Sequence, residues 1–122
     1  MRRDIDLLTL IGFGEQVEVV KAGENLFTEG DFGDCMYLVK SGRIDVKAGE
    51  RLLATVGPGE ILGEMAIIDQ SRRSATAVAA AESQVISINE GRFLRLVEKQ
   101  PGFALELLRI ICRRLRSMNR LT

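Results

Sequence analysis

From residue 16 to residue 63 glycine interrupts the chain at close intervals, and the strand-like runs between interruptions are only four or five residues long. Around Gln16 the pattern takes a period of two: Val17, Val19 and Lys21 alternate with Glu18 and Val20, which predicts a strand. Further short strands are predicted over Asn25–Thr28, Met36–Val39, Ile44–Lys47 and Leu52–Val56. Each is followed by a turn signal: Glu29-Gly30-Asp31, Lys40-Ser41-Gly42, Ala48-Gly49-Glu50 and Gly57-Pro58-Gly59. Glycine suits such turns because it accepts positive φ. Many short strands with turns between them make a closed all-β body, a barrel or a sandwich. The strand–helix–strand rhythm of a parallel, Rossmann-like sheet is missing.

The rest of the chain adds helices. Ile5, Leu8 and Ile11 can form one apolar helix face, ended by Gly12 and Gly14. After Gly63 a short helix is expected over Glu64–Ile68, then a polar loop from Asp69 to Arg73 and strands over Ala75–Ala80 and Gln84–Ile88. Asn89 is an N-cap candidate for a helix carrying Phe93, Leu94 and Val97, and Pro101 suits the first turn of the last helix. In that helix Ala104, Leu108, Ile111, Leu115 and Met118 form a heptad seam, too short for a free-standing coiled coil. The seam is read as the face packed on the β-body, with a homodimer through the C-terminal helix as the alternative. Arg109, Arg113, Arg114, Arg116 and Arg120 are read as a solvated face, with a basic stripe for a partner as the alternative. The expected fold is α+β: a jelly-roll-like β-roll (a double-stranded barrel) over about 16–89 and C-terminal helices over about 90–120, in one domain spanning 1–122.

Composition narrows the function classes. Lys plus Arg equals Asp plus Glu at 17 each, so no bulk field favours nucleic acid or a membrane surface. The sequence contains no histidine, which removes the commonest general base and the commonest metal ligand. Cys35 and Cys112 are too far apart for a metal knuckle, and both are read as reduced, buried, small apolar residues in a cytoplasmic protein, with a disulfide between them as the alternative. Nothing near Met1 resembles a signal peptide, and no apolar stretch approaches membrane-spanning length.

The chemistry concentrates between Gly59 and Ala80. Gly63 permits close backbone approach, and the one-turn helix after it would aim its first amides back at the glycine, an arrangement that suits an anion. Arg73 returns nine residues after Glu64 and can supply two parallel donors to a pair of phosphate oxygens. Ser74 adds a hydroxyl. Glu64 offers an acceptor, which a sugar hydroxyl can use and a phosphate cannot. Donors for a phosphate beside an acceptor for a sugar hydroxyl are what a ribose phosphate requires.

Leu62-Gly63-Glu64-Met65-Ala66-Ile67 and Arg72-Arg73-Ser74-Ala75-Thr76 resemble the phosphate-binding cassette of the cyclic nucleotide-binding domain family, of the catabolite activator protein and protein kinase A regulatory subunit type. Glu29-Gly30-Asp31, Gly33-Asp34, Tyr37-Leu38-Val39 and Ser41-Gly42 look like further landmarks of that family. The resemblance implies that Glu64 bonds the ribose 2′-hydroxyl and Arg73 an equatorial phosphate oxygen. It also implies that the amides of Ala66 and Ser74 face the phosphate, and that Leu62, Gly63, Met65 and Ala75 line the site. Leu62 and Arg72 depart from the family's usual aromatic and proline; neither change removes a ligand-contacting group. Ser74 occupies the position where threonine often marks a cyclic GMP binder, and serine also occurs in cyclic AMP binders; cyclic AMP is expected, with cyclic GMP as the alternative. The last helix looks like the long helix of the activator type, and an ungapped match from Pro101 puts Arg114 near Glu64 and Asn119 where the adenine is contacted. The activator's helix-turn-helix is not in this sequence, so no direct DNA binding by this chain is expected.

These residues make the expected function a non-enzymatic cyclic nucleotide sensor whose C-terminal helices move on binding and report to an effector protein. Neither a cofactor nor a metal is expected. A ligand-free interaction module on the same fold is the alternative. A cupin-like metal enzyme is disfavoured by the missing imidazoles.

Overall fold

The computed structural model describes Leu7, Ile11 and residues 16–120, with side chains as far as Ser117. The expectations placed on Ile5, Leu8, Gly12 and Gly14, and on the side chains of Met118, Asn119 and Arg120, lie outside the described residues. Eight strands follow one another: β1 Glu18–Val20, β2 Asn25–Phe27, β3 Cys35–Ser41, β4 Ile44–Ala48, β5 Arg51–Val56, β6 Ile61–Leu62, β7 Thr76–Ala79 and β8 Ser83–Asn89. The helices are α1 Met65–Ile68, between β6 and β7, then α2 Glu90–Lys99 and α3 Pro101–Arg120.

The strands form two four-stranded sheets, β1-β8-β3-β6 and β2-β7-β4-β5, paired antiparallel throughout. This is a β-roll, as the glycine spacing predicts. Alternation along β3 sends neighbouring side chains to opposite faces. Val39 joins Val20, Ile44, Val56, Leu62 and Val85 in the cluster between the sheets, with Tyr37 packed against it. Met36 and Leu38 join Ile86, Ile88, Leu96, Phe103 and Leu107 in a second cluster under the helices, which Leu7 and Ile11 also enter.

Asn89 caps α2, its side-chain oxygen accepting from the Arg92 amide at 2.9 Å. The face that α3 buries differs from the expected seam. Phe103 and Leu107 are its buried apolar anchors, while Leu108 and Leu115 stand 57% and 53% exposed. The Phe103 ring meets Phe93 of α2 edge-on at 5.5 Å, which sets the rotation of α3 about its axis. The expected seam therefore packs on the β-body only in part: Ile111 reaches the core cluster, while Leu108 and Leu115 do not. Cys112, expected buried, is exposed, while Cys35 is buried as expected. Arg109 and Arg113 are not merely solvated: both pair with Glu106, whose carboxylate is buried.

Candidate functional site

β6 is only Ile61–Leu62, yet its pairing with Leu38 and Tyr37 of β3 fixes where the cassette begins. Gly63 turns the chain with φ 76°, a conformation that L side chains rarely adopt. Glu64 follows at the N-cap position of α1 without capping it through its side chain, so its carboxylate is left for other partners. After α1, the loop residue Gln70 takes φ 58°. The chain then returns alongside the β2–β3 loop. The Arg73 amide donates to the Asp31 carbonyl at 2.8 Å, and the Gly30 amide donates to the Arg73 carbonyl at 2.8 Å. Arg72 reinforces the clamp: its guanidinium donates to the Gly30 carbonyl at 3.0 Å and lies 3.8 Å over the Phe32 ring.

The clamp drives the Arg73 side chain inward, where it is 7% exposed. Nη1 donates to the Gly63 carbonyl at 3.1 Å and Nη2 to the Cys35 carbonyl at 2.8 Å. The guanidinium carbon lies 4.2 Å from the Phe27 ring centre. Nε is buried with no hydrogen-bond partner, and among the described residues no carboxylate lies within ion-pair distance of Arg73. A buried cation balanced by two carbonyls and an aromatic face is costly, and a single anion beside it would reduce that cost. The two parallel Nη donors expected for phosphate already serve carbonyls here. The remaining Nη hydrogens are what an anion in the cavity would meet, while Nε lies against Gly33.

Glu64 is the other polar pole, its side chain 12% exposed. Its carboxylate pairs with Arg114 of α3, whose second nitrogen donates to the Ile61 carbonyl. The last helix is thus tied to the cassette where the sequence places Arg114. Arg73, Glu64, Ser74 and Arg114 share a cavity of about 360 Å³ with the apolar residues Val46 and Val56. That volume suits a small ligand with one charged end and one flat apolar end. Leu62, Gly63, Met65, Ala66 and Ala75 also line it. The Ala66 amide is turned to the Gly63 carbonyl at 3.3 Å, so the structure does not leave it free for an anion. Among the described residues the Ser74 hydroxyl has no protein partner.

Three contributors escaped the sequence reading: Phe27 and the β4–β5 residues Val46 and Val56. Nothing local marks them, because they reach the site through pairings between strands distant in sequence. Beneath Arg73, burial raises the Cys35 thiol above its ordinary pKa, and burial followed by the thiol's hydrogen bond raises the Tyr37 phenol. Both are therefore neutral at pH 7, so neither supplies the missing negative charge.

The sequence profile described as "cyclic nucleotide-binding domain" matches residues 17–100. The chain is 37% identical over 99 residues to the cyclic AMP receptor protein of Thermus thermophilus, covering 77% of this chain and 46% of that protein. It is 33% identical over 94 residues to the cAMP-dependent protein kinase regulatory subunit of Eremothecium gossypii, covering 77% of this chain and 20% of the subunit. The crystal structure of the Thermus thermophilus catabolite activator protein superposes with a TM-score of 0.81 at 31% identity, covering 93% of this chain and 55% of that one. The chain thus spans about half the length, or less, of the curated relatives it matches. Among the described residues no helix is long and apolar enough to cross a membrane.

Proposed function

Since the chain belongs to the cyclic nucleotide-binding domain family, we propose that its cavity takes cyclic AMP and that α3 reports occupancy to an effector protein. One observation carries the reading: Arg73 is a buried cation with, among the described residues, no carboxylate partner, and it lines a cavity that Glu64 also lines. In this assignment the cyclic phosphate meets Arg73 and the Ser74 hydroxyl. The ribose 2′-hydroxyl donates to Glu64. The base lies against Val46 and Val56, with Arg114 above it. The nucleotide's names in the relatives support cyclic AMP, and serine at 74 admits cyclic GMP as the alternative.

The coupling to α3 runs through Glu64. A hydroxyl bonded to that carboxylate competes with Arg114, so ligand and helix share one acceptor. Nucleotide then favours whichever placement of α3 satisfies both, by its difference in affinity for the two placements. The exposed apolar face of α3, with Leu108 and Leu115, suits a second copy of the chain.

The pairing of Glu64 with Arg114 also favours a second reading, in which the protein's own groups fill the site and the domain is a ligand-free scaffold. Calorimetric titration with cyclic AMP and cyclic GMP decides between them. We expect saturable one-to-one binding, weakened roughly a hundredfold in Arg73→Ala, because a lost charged hydrogen-bond pair costs about 2–3 kcal/mol. Absence of saturation at millimolar nucleotide in a folded wild-type protein would establish the scaffold.

A further inference from the structure

The side chain that fixes the Arg73 guanidinium lies outside the cassette. Phe27, at the end of β2, places its ring 4.2 Å from the guanidinium carbon, and Tyr37 lies 5.7 Å away on the same side of the core. The two rings stack with centres 6.1 Å apart and planes 24° from parallel, so Tyr37 buttresses Phe27. Phe27 also forms part of the cavity wall, and a Cβ placed on Gly63 would come within 3.4 Å of its edge. The guanidinium is therefore held by carbonyls of Gly63 and Cys35 at its rim and by a π-face beneath it.

A planar, weakly hydrated cation is attracted to the face of an aromatic ring, more strongly where water is excluded. An aliphatic side chain of similar volume would fill the same space without the quadrupole that holds the cation flat. We propose that Phe27 is a positioning residue for anion binding: its ring holds the Arg73 guanidinium flat in the cavity wall, where it meets an anionic oxygen. The proposal rests on the reading of the cavity as a nucleotide site. It adds that affinity for the phosphate is set from β2, through ring-face contact, as well as from the cassette. The ligand class this favours is a diffuse monoanion such as a phosphodiester, held by a donor that cannot swing away to water.

Two measurements test it, one of them independent of nucleotide. In the free wild-type protein the Arg73 side-chain Nε–H proton should carry an upfield ring-current shift, lost in Phe27→Leu and kept in Phe27→Tyr. In cyclic AMP titrations Phe27→Leu should raise Kd roughly tenfold, within the range that stacked cations show, while Phe27→Tyr stays within about threefold. A merely space-filling role predicts no such split, since leucine fills the space. An Arg73 Nε–H proton at its random-coil position in the wild type overturns the proposal. So does a Phe27→Leu protein that binds within twofold of the wild type, or a Phe27→Tyr protein that loses as much as Phe27→Leu. A wild type that shows the ring-current shift but does not bind cyclic AMP refutes the nucleotide reading and leaves the ring–cation contact standing.

Discussion

Gly33→Ala isolates the placement of Arg73 from every other property of the loop. The Gly33 backbone is outside the left-handed region, so alanine brings no conformational strain. Its new Cβ would lie 2.6 Å from both Cζ and Nε of Arg73 and 2.9 Å from the Ala66 Cβ. Relaxed non-bonded contacts need about 3.5–4.0 Å, so the guanidinium must withdraw by roughly 1 Å or α1 must shift with it. Withdrawal stretches the bonds to Gly63 and Cys35, now 3.1 and 2.8 Å, beyond useful length. A hydrogen bond from a charged donor contributes about 1.5–3 kcal/mol, so losing one predicts a melting point lower by roughly 5–10 °C for a domain of this size. Cyclic AMP affinity should fall at least about tenfold, because the same movement takes the guanidinium out of line. The matched control is Gly49→Ala, in the β4–β5 turn and outside the clamp on Arg73. It sits at φ 61° with nothing within 4 Å of the new Cβ, so it costs stability through strain while leaving Arg73 in place. Thermal unfolding followed by circular dichroism, with calorimetry on each variant, reads both effects. If Gly33→Ala melts and binds like the wild type, the packing of Arg73 against the β2–β3 loop is wrong as described.

Three further outcomes follow from the same geometry. Arg114→Ala removes the tie from α3 to Glu64 and Ile61, so amide exchange along Arg113–Arg116 should quicken while β3 and β8 stay protected; unchanged exchange there would deny the tie. Cys35 and Tyr37 are both raised above their ordinary values of 9.0 and 10.0, each chiefly by burial. The unfolded chain therefore loses these protons first as pH rises, so stability is full below about pH 9 and declines above it. Tyr37→Phe should flatten the decline beyond pH 10, and a denaturation series in which it falls as steeply as the wild type contradicts this. Replacing Leu108 and Leu115 together by serine should lower any self-association seen by sedimentation without changing cyclic AMP affinity, because both side chains face away from the core.

The fold was legible where a local signal had only one physical solution. Gly42 and Gly63 take positive φ as their turns demand, Asn89 caps α2, and the strands fall within a residue or two of the predicted runs. β6 was not legible: two residues between Gly59 and Gly63 show no period, and only pairing with β3 makes them a strand. The α3 seam was misassigned in part for a related reason. Two apolar stripes run along that helix, one through Phe103 and Leu107 and one through Leu108 and Leu115, and a heptad count cannot say which meets the core. The edge-on contact of Phe103 with Phe93 decides it. The site divides the same way. Gly63, Glu64, Arg73 and Ser74 sit in one stretch and could be read together, and the position of Arg114 followed from matching the last helix. Phe27 and Gly33 touch Arg73 only because β2 and the β2–β3 loop fold back onto the cassette.

The Nε–H of Arg73 has no acceptor in this structure, and a phosphate bound to the same guanidinium would change its surroundings. Proton–nitrogen spectra of the arginine side chains during a titration read that atom directly. Cyclic AMP should move the Arg73 Nε–H resonance, while adenosine, which lacks the phosphate, leaves it in place. A resonance unmoved by saturating cyclic AMP would mean that the buried guanidinium is not where the phosphate goes.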